Sequence, residues 1–231
     1  RHLKSVARYG ELTVDPGGSS ALVSFPAEEQ LYFILAGAGT VLCDGASVPV
    51  KTNDFLYLPP GSRHGAANKQ SEPLRLLVMG FRIPSGAKVP PAKTLMIANT
   101  AGVAFQQLSG HGPTTQFKLL TGTTESTRDK LAAASQMVSL FLMDFAPGGT
   151  NIPHHHETEE EIYFILRGNG QMVAGGGMDG NEGRHPARQG DAWFLRLNTT
   201  VGFYSAAKPG QEHDQVLAVR SSFPFPQKRL Q

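Results

Sequence analysis

The chain has 231 residues and a formal charge of +2, which allows one large domain or two of ordinary size and leaves no basic tract for nucleic acid. Apolar residues make up 40% of it, enough for real cores, yet no apolar run approaches the roughly 20 residues of a membrane-spanning helix. A lone cysteine, Cys43, excludes an intrachain disulfide, and its place in an apolar run predicts a buried, inert thiol.

The 26 glycines and 16 prolines suit short strands joined by turns. In chain order, strands are predicted at 31–35, 40–43, 54–58 and 74–81. Residues 84–127, dense in Pro, Gly, Ser and Thr, read as a connector. One helix is predicted, over 128–135, with Ser126 or Thr127 as its N-cap. Strands resume at 136–145, 162–166, 171–174, 192–197 and 215–220. Between 171–174 and 192–197, the glycine-rich stretch 175–184 reads as an enlarged hairpin connection. A soluble protein is expected, and because the chain opens on Arg1 rather than Met it is read as cytoplasmic or as exported after loss of an N-terminal segment.

The two halves repeat. Pro16-Gly17-Gly18 returns as Pro147-Gly148-Gly149, and 28–39 returns as 159–170, both at an offset of 131. Asn53-Asp54-Phe55-Leu56-Tyr57-Leu58 returns as Gly190-Asp191-Ala192-Trp193-Phe194-Leu195 after an insertion of six residues. A repeat this long, present twice, predicts tandem domains rather than a solenoid. The expected fold class is all-β, with domains at 1–110 and 111–231.

One stretch carries chemistry. His154 and His156 are two apart, so an extended chain points both to one side, and Glu161 begins the strand that can fold over to meet them. Two imidazoles and a carboxylate suit a first-row transition metal. Fe, Mn, Ni, Zn, Co and Cu all accept these ligands, so one divalent metal is expected and its identity is left open. By strand parity Tyr163 and Ile165 share the face of Glu161, so they are predicted to line the pocket. Arg196 reads first as an exposed arginine and second as a holder of an anionic substrate. His155 faces the other way. Glu159 and Glu160 read first as a solvated acidic turn and second as replacement ligands. His2, His111, His185 and His213 lie in termini, linkers or loops and carry no motif.

The spacing Gly148-x5-His154-x-His156-x4-Glu161-x6-Gly168 resembles the first motif of the cupin superfamily, and Asn53-x5-Pro59-x-Gly61-x2-His64-x3-Asn68 resembles the second, with Asn53 in place of the usual glycine. With the unit repeated along nearly the whole chain, the protein resembles a bicupin. The resemblance implies two jelly-roll β-barrels, a site in the barrel mouth, and a homodimer. It also implies a metal shell of three histidines and a glutamate. In the second unit the fourth position is Val201, so Val201 and Phe203, which shares its strand parity, are expected to line the pocket, as is Arg196, which stands in place of the family's proline near the mouth. In the first unit the first-motif positions are Val23, Phe25 and Gln30, and His64 alone remains, as a satisfied mouth histidine or a relic. The expectation is one open, three-ligand site in the second barrel, and a metal-dependent enzyme acting on a small organic molecule. Its chemistry would be of dioxygenase type, as in quercetinase-like cupins, or an isomerisation or hydrolysis. An oxalate-decarboxylase-like role fits less well, since those bicupins carry both ligand sets. The alternative is a non-enzymatic ligand-binding or storage-like cupin. Partners are expected to be small molecules, with no nucleic acid and no membrane.

Overall fold

Apolar and polar residues alternate between glycine and asparagine turns, and the chain is accordingly built of β-strands throughout the residues that the computed structural model describes, 3–87, 89, 94–176 and 181–224. A 3-10 turn at Thr100–Gly102, capped by the Asn99 side chain on the Ala101 N–H, is the sole helical element among them. No helix among them is long and apolar enough to cross a membrane.

The chain forms two compact units that interleave in sequence. The first comprises Ser5–Val103 and Thr121–Gln136, and the second comprises the described parts of Arg1–Lys4, Ala104–Leu120 and Met137–Gln231. The sequence reading has a single cut between 110 and 111.

In the first unit the strands are β1 (Val6–Val14), β2 (Glu28–Ala36), β3 (Ala38–Cys43), β4 (Ala46–Lys51), β5 (Asp54–Leu58), β6 (His64–Ala67), β7 (Leu74–Arg82) and β8 (Met96–Asn99). They form an antiparallel sheet in the order β1-β7-β2-β5-β8 and a smaller one in the order β4-β3-β6. The inward residues of both sheets, among them Tyr32, Ile34, Val41, Leu56, Ala66 and Leu76, pack into one apolar cluster. Cys43 is in it, only 5% exposed, and burial pushes its thiol up.

The second unit repeats this plan. Its strands are part of β9 (Thr115–Thr123), then β11 (Met137–Phe145), β12 (Glu159–Arg167), β13 (Asn169–Gly176), β14 (Asn181–Arg188), β15 (Ala192–Leu195), β16 (Thr199–Ser205) and β17 (Asp214–Ser222). The order is β9-β11-β17-β12-β15 in one sheet and β14-β13-β16 in the other. The inserted residues lengthen the β13–β14 hairpin, whose strands run eight residues each against six in β3 and β4. Residues 177–180 of the predicted connection lie outside the described residues. Gly37 and Gly168, the first glycine of each repeated block, both sit at positive φ, 79° and 83°. A Cβ at Gly37 would strike the Pro73 carbonyl and one at Gly168 would strike the Asp214 carboxylate, so glycine alone fits this turn in both barrels.

The predicted helix over 128–135 is not formed. Ser126 does accept the N–H groups of Arg128 and Asp129, as an N-cap would, at 3.2 Å each. The chain then extends into β10 (Leu131–Ala134), which pairs in parallel with Thr121–Gly122 and Thr123 of β9. Leu131, Ala133 and Ala134 are buried there, and sheet pairing with burial outweighs the helix preference of an alanine run, worth a few tenths of a kcal/mol per residue.

Two buried glutamates fix the start of β2 and β12. Glu29, fully buried, accepts the Tyr57 hydroxyl (3.1 Å) and the backbone N–H groups of Ser135 (2.8 Å) and Gln136 (2.7 Å). Its repeat, Glu160, takes the Lys4 N–H on both oxygens, at 2.8 and 2.9 Å. Lys4 precedes Ser135 by the same offset of 131. Glu160 is therefore a buried acceptor, not part of a solvated acidic turn.

Candidate metal centre

The His154–His156 run is held extended by its neighbour β16. The His154 N–H donates to the Val201 carbonyl (3.0 Å), Val201 returns the bond (2.8 Å), and the His156 carbonyl accepts the Asn198 N–H (2.9 Å). Two-residue periodicity then sends both imidazoles to one side, with centroids 5.0 Å apart and rings nearly perpendicular, while the His155 side chain is 56% exposed. Ile152 adopts φ of 57°, a conformation that costs a β-branched residue about 1–3 kcal/mol. Its carbonyl is the acceptor for His154 Nδ1 at 2.8 Å. A carbonyl can only accept, so Nδ1 carries the proton and Nε2 keeps its lone pair.

Glu161 enters from β12, opposite Leu195 on one side and Arg220 on the other. Its Oε2 lies 3.4 Å from His156 Nε2, and the ligand atoms of His154, His156 and Glu161 all lie within 4.8 Å of one another. Glu161 Oε2 and His156 Nε2 are both buried without a hydrogen-bond partner. A buried carboxylate oxygen left beside a buried imidazole nitrogen is costly unless a cation or proton lies between them. The donor set therefore fits a first-row metal by chemistry and by its unmet bonds.

Two residues that carry no sequence motif stand at the site. His111, from the connector, has its ring 5.1 Å from that of His154 and 4.9 Å from that of Phe117. Burial first, then the neighbouring His154, holds its imidazole below the usual histidine range. Arg220, across from Glu161 on β17, pairs through NH1 with Glu159 Oε2 at 3.1 Å, and its Nε is buried without a partner. Glu159 Oε2 is also 3.9 Å from His156 Nδ1. Among the four predicted lining residues, Tyr163, Ile165, Val201 and Phe203 all belong to the second unit's apolar cluster. The Tyr163 hydroxyl takes the Asn151 amide (2.9 Å), and burial raises its pKa well above the usual phenol value. Arg196 is exposed. Nothing in local sequence flags Arg220 or His111, because strand register places the first and a connector bridge, Gln106 with Phe117, positions the second.

The corresponding first-unit residues form no such trio. Val23 bridges His64, as His154 bridges Val201, and Phe25 and Gln30 stand where His156 and Glu161 stand.

The sequence profile of the cupin domain matches residues 10–80 and 141–207, more than half of the chain. Germin-like protein subfamily 2 member 1 of Arabidopsis thaliana is 37% identical over 90 residues, 37% of this chain and 40% of that protein. The chain spans about half the length of the curated relatives it matches, 40 to 59%. Among solved structures, a putative glyoxylate induced protein from Pseudomonas aeruginosa superposes with a TM-score of 0.74 at 15% identity, covering 96% of this chain and 77% of that one. Salicylate 1,2-dioxygenase from Pseudoaminobacter salicylatoxidans, in a structure of adducts with gentisate, gives 0.64 at 11% identity, covering 94% of this chain and 68% of that one. At such identities the likeness is one of fold. The duplicated two-sheet units, the motif spacing and the profile match agree, and the chain belongs to the cupin domain family, with two copies of the domain in tandem.

Proposed function

We propose that the second barrel is the site of a metal-dependent enzyme acting on a small organic acid, with His154, His156 and Glu161 holding one divalent transition metal. The observation that carries this reading is the pair of buried, unbonded atoms, His156 Nε2 and Glu161 Oε2, 3.4 Å apart and converging with His154. When bound, such an ion supplies Lewis acidity or, if redox-active, electrons, and a two-histidine, one-carboxylate shell leaves positions open for substrate.

The surrounding residues set what enters. Glu159 and Glu161 against Arg220 leave one unbalanced negative charge at the mouth, which draws a cation; a divalent ion turns this to +1, which draws an anion. Arg220 has an unspent Nε for a carboxylate or enolate oxygen. Val201 in the fourth position, beside Phe203 and Tyr163, keeps that wall apolar and excludes water from the opposite face. The dioxygenase among the fold's relatives, whose structure holds gentisate, a carboxylate, supports dioxygenase-type chemistry as the first reaction to screen.

Protein purified without a nickel column is expected to carry close to one equivalent of a transition metal by elemental analysis, and His154→Ala to lose it. A metal-free preparation that takes up no metal on titration refutes the reading. Metal uptake with no turnover of flavonols, diketones, sugars or small acids favours the ligand-binding alternative.

A further inference from the structure

The first barrel has lost the metal trio, yet its mouth keeps polar groups that the fold leaves unsatisfied. His64, 1% exposed, donates from Nδ1 to the Ser62 carbonyl at 2.9 Å, so Nε2 is an acceptor, and that atom is buried with no partner. Gln30, also 1% exposed, gives its amide nitrogen to Glu28 at 2.9 Å, which fixes the amide orientation and leaves Oε1 buried with no partner. Two buried acceptors without donors cost about 1–3 kcal/mol each.

A third group joins them. Arg8 holds Glu28 through Nε (2.8 Å) and NH2 (3.1 Å), and its guanidinium lies 3.5 Å over the Phe25 ring. Phe25 and Tyr32 both contact the His64 ring, with centroids at 5.9 and 5.7 Å. Gly80 makes room for this cluster. A Cβ there would meet Arg8 Cγ at 2.5 Å and Gln30 Nε2 at 2.6 Å, so Gln30 and Arg8 share that space. The cluster has no net charge, because Arg8 and Glu28 cancel and burial holds His64 below its usual pKa.

We infer that the first barrel is a metal-independent binding site for a small uncharged molecule carrying hydrogen-bond donors, a polyol or a primary amide, given to His64 Nε2 and Gln30 Oε1. The absence of net charge argues for an uncharged ligand, and the two acceptors require donors. This inference does not rest on the metal centre of the second barrel.

The test is titration of the full chain, labelled with 15N-histidine, with D-ribose and with acetamide. Each probe has a counterpart without donors, tetrahydrofuran and N,N-dimethylacetamide. Binding of either probe should move the His64 Nε2 resonance saturably. The affinity should fall at least tenfold with the donor-free counterpart and in Gln30→Leu, and stay unchanged in His154→Ala. Ribose and acetamide distinguish the two donor classes. A His64 Nε2 resonance that neither probe moves overturns the inference. So does equal binding of the donor-free counterparts, full-strength binding in Gln30→Leu, or a crystal structure with only a bridging water between the two acceptors in the presence of both probes. The labelled wild-type protein supplies the main readout, so a poorly folded variant does not leave the question open.

Discussion

The two barrels hold one plan and exchange its parts between neighbouring strands. In the first, Val23 bridges His64; in the second, His154 bridges Val201. In the first, Arg8 lies across from Gly80; in the second, Ser139 lies across from Arg220. Each mouth thus keeps one imidazole on the first pair and one guanidinium on the second, contributed by the opposite strand. Each guanidinium binds the same glutamate of the repeat, Arg8 to Glu28 and Arg220 to Glu159. The difference in chemistry comes from two positions: Phe25 and Gln30 against His156 and Glu161. A barrel wall fixes where a side chain must end, and either of two paired strands can supply it.

The sharpest way to break this comparison is to write the first barrel into the second. His156→Phe with Glu161→Gln is expected to lower metal affinity by at least about a hundredfold, as read by elemental analysis after dialysis against a weak chelator. The reverse graft, Phe25→His with Gln30→Glu, joins His64 to a new histidine and carboxylate. Metal content is then expected to rise from one equivalent per chain to two, and a single equivalent would show that strand origin matters after all.

Arg220→Gln removes a charged hydrogen-bonding group worth about 1.5–3 kcal/mol. It should raise KM for a carboxylate substrate roughly tenfold to a hundredfold and leave metal content unchanged. Loss of metal instead would assign Arg220 to holding Glu159 and His156 in place. The two buried glutamates should behave alike. Glu29→Ala strips an acceptor from the Ser135 and Gln136 amides and Glu160→Ala from the Lys4 amide, and each is expected to cost about 1–3 kcal/mol in urea unfolding.

The smallest effect concerns His64. Burial lowers its folded pKa, so its neutral form contributes full stability above the unfolded value of about 6.5, and that contribution is lost as pH falls below it. The charged groups facing His64 are Asp44, which favours its protonation, and Arg8, which opposes it. Between pH 7.5 and 5.5 the wild type should lose up to about 1.4 kcal/mol per unit more than His64→Val, measured as the difference in unfolding free energy. Parallel curves would mean that His64 is as easily protonated folded as unfolded.

The repeat, the strands and the trio His154, His156 and Glu161 were legible because each rests on local spacing: an offset of 131, alternation of two, and a turn that only glycine fits. Arg220 was not legible, because its place beside Glu161 depends on the pairing of β17 with β12, some sixty residues apart in the chain. The same holds for His111, brought to His154 by a bridge within the connector. The helix expected at 128–135 shows the converse. Its cap signal at Ser126 was real, and a partner strand decided what followed.

The Glu29 and Glu160 bonds set how the molecule can be taken apart. A gene cut at 110 would leave the first barrel's Glu29 carboxylate buried without the amides of Ser135 and Gln136. A cut that respects the bonds instead of the repeat must carry 121–136 with the first barrel and supply the second with a stand-in for Lys4. The unit of duplication in the sequence and the compact unit of the fold are offset by one short segment, 121–136, which follows the first repeat in the chain at a distance and packs with it.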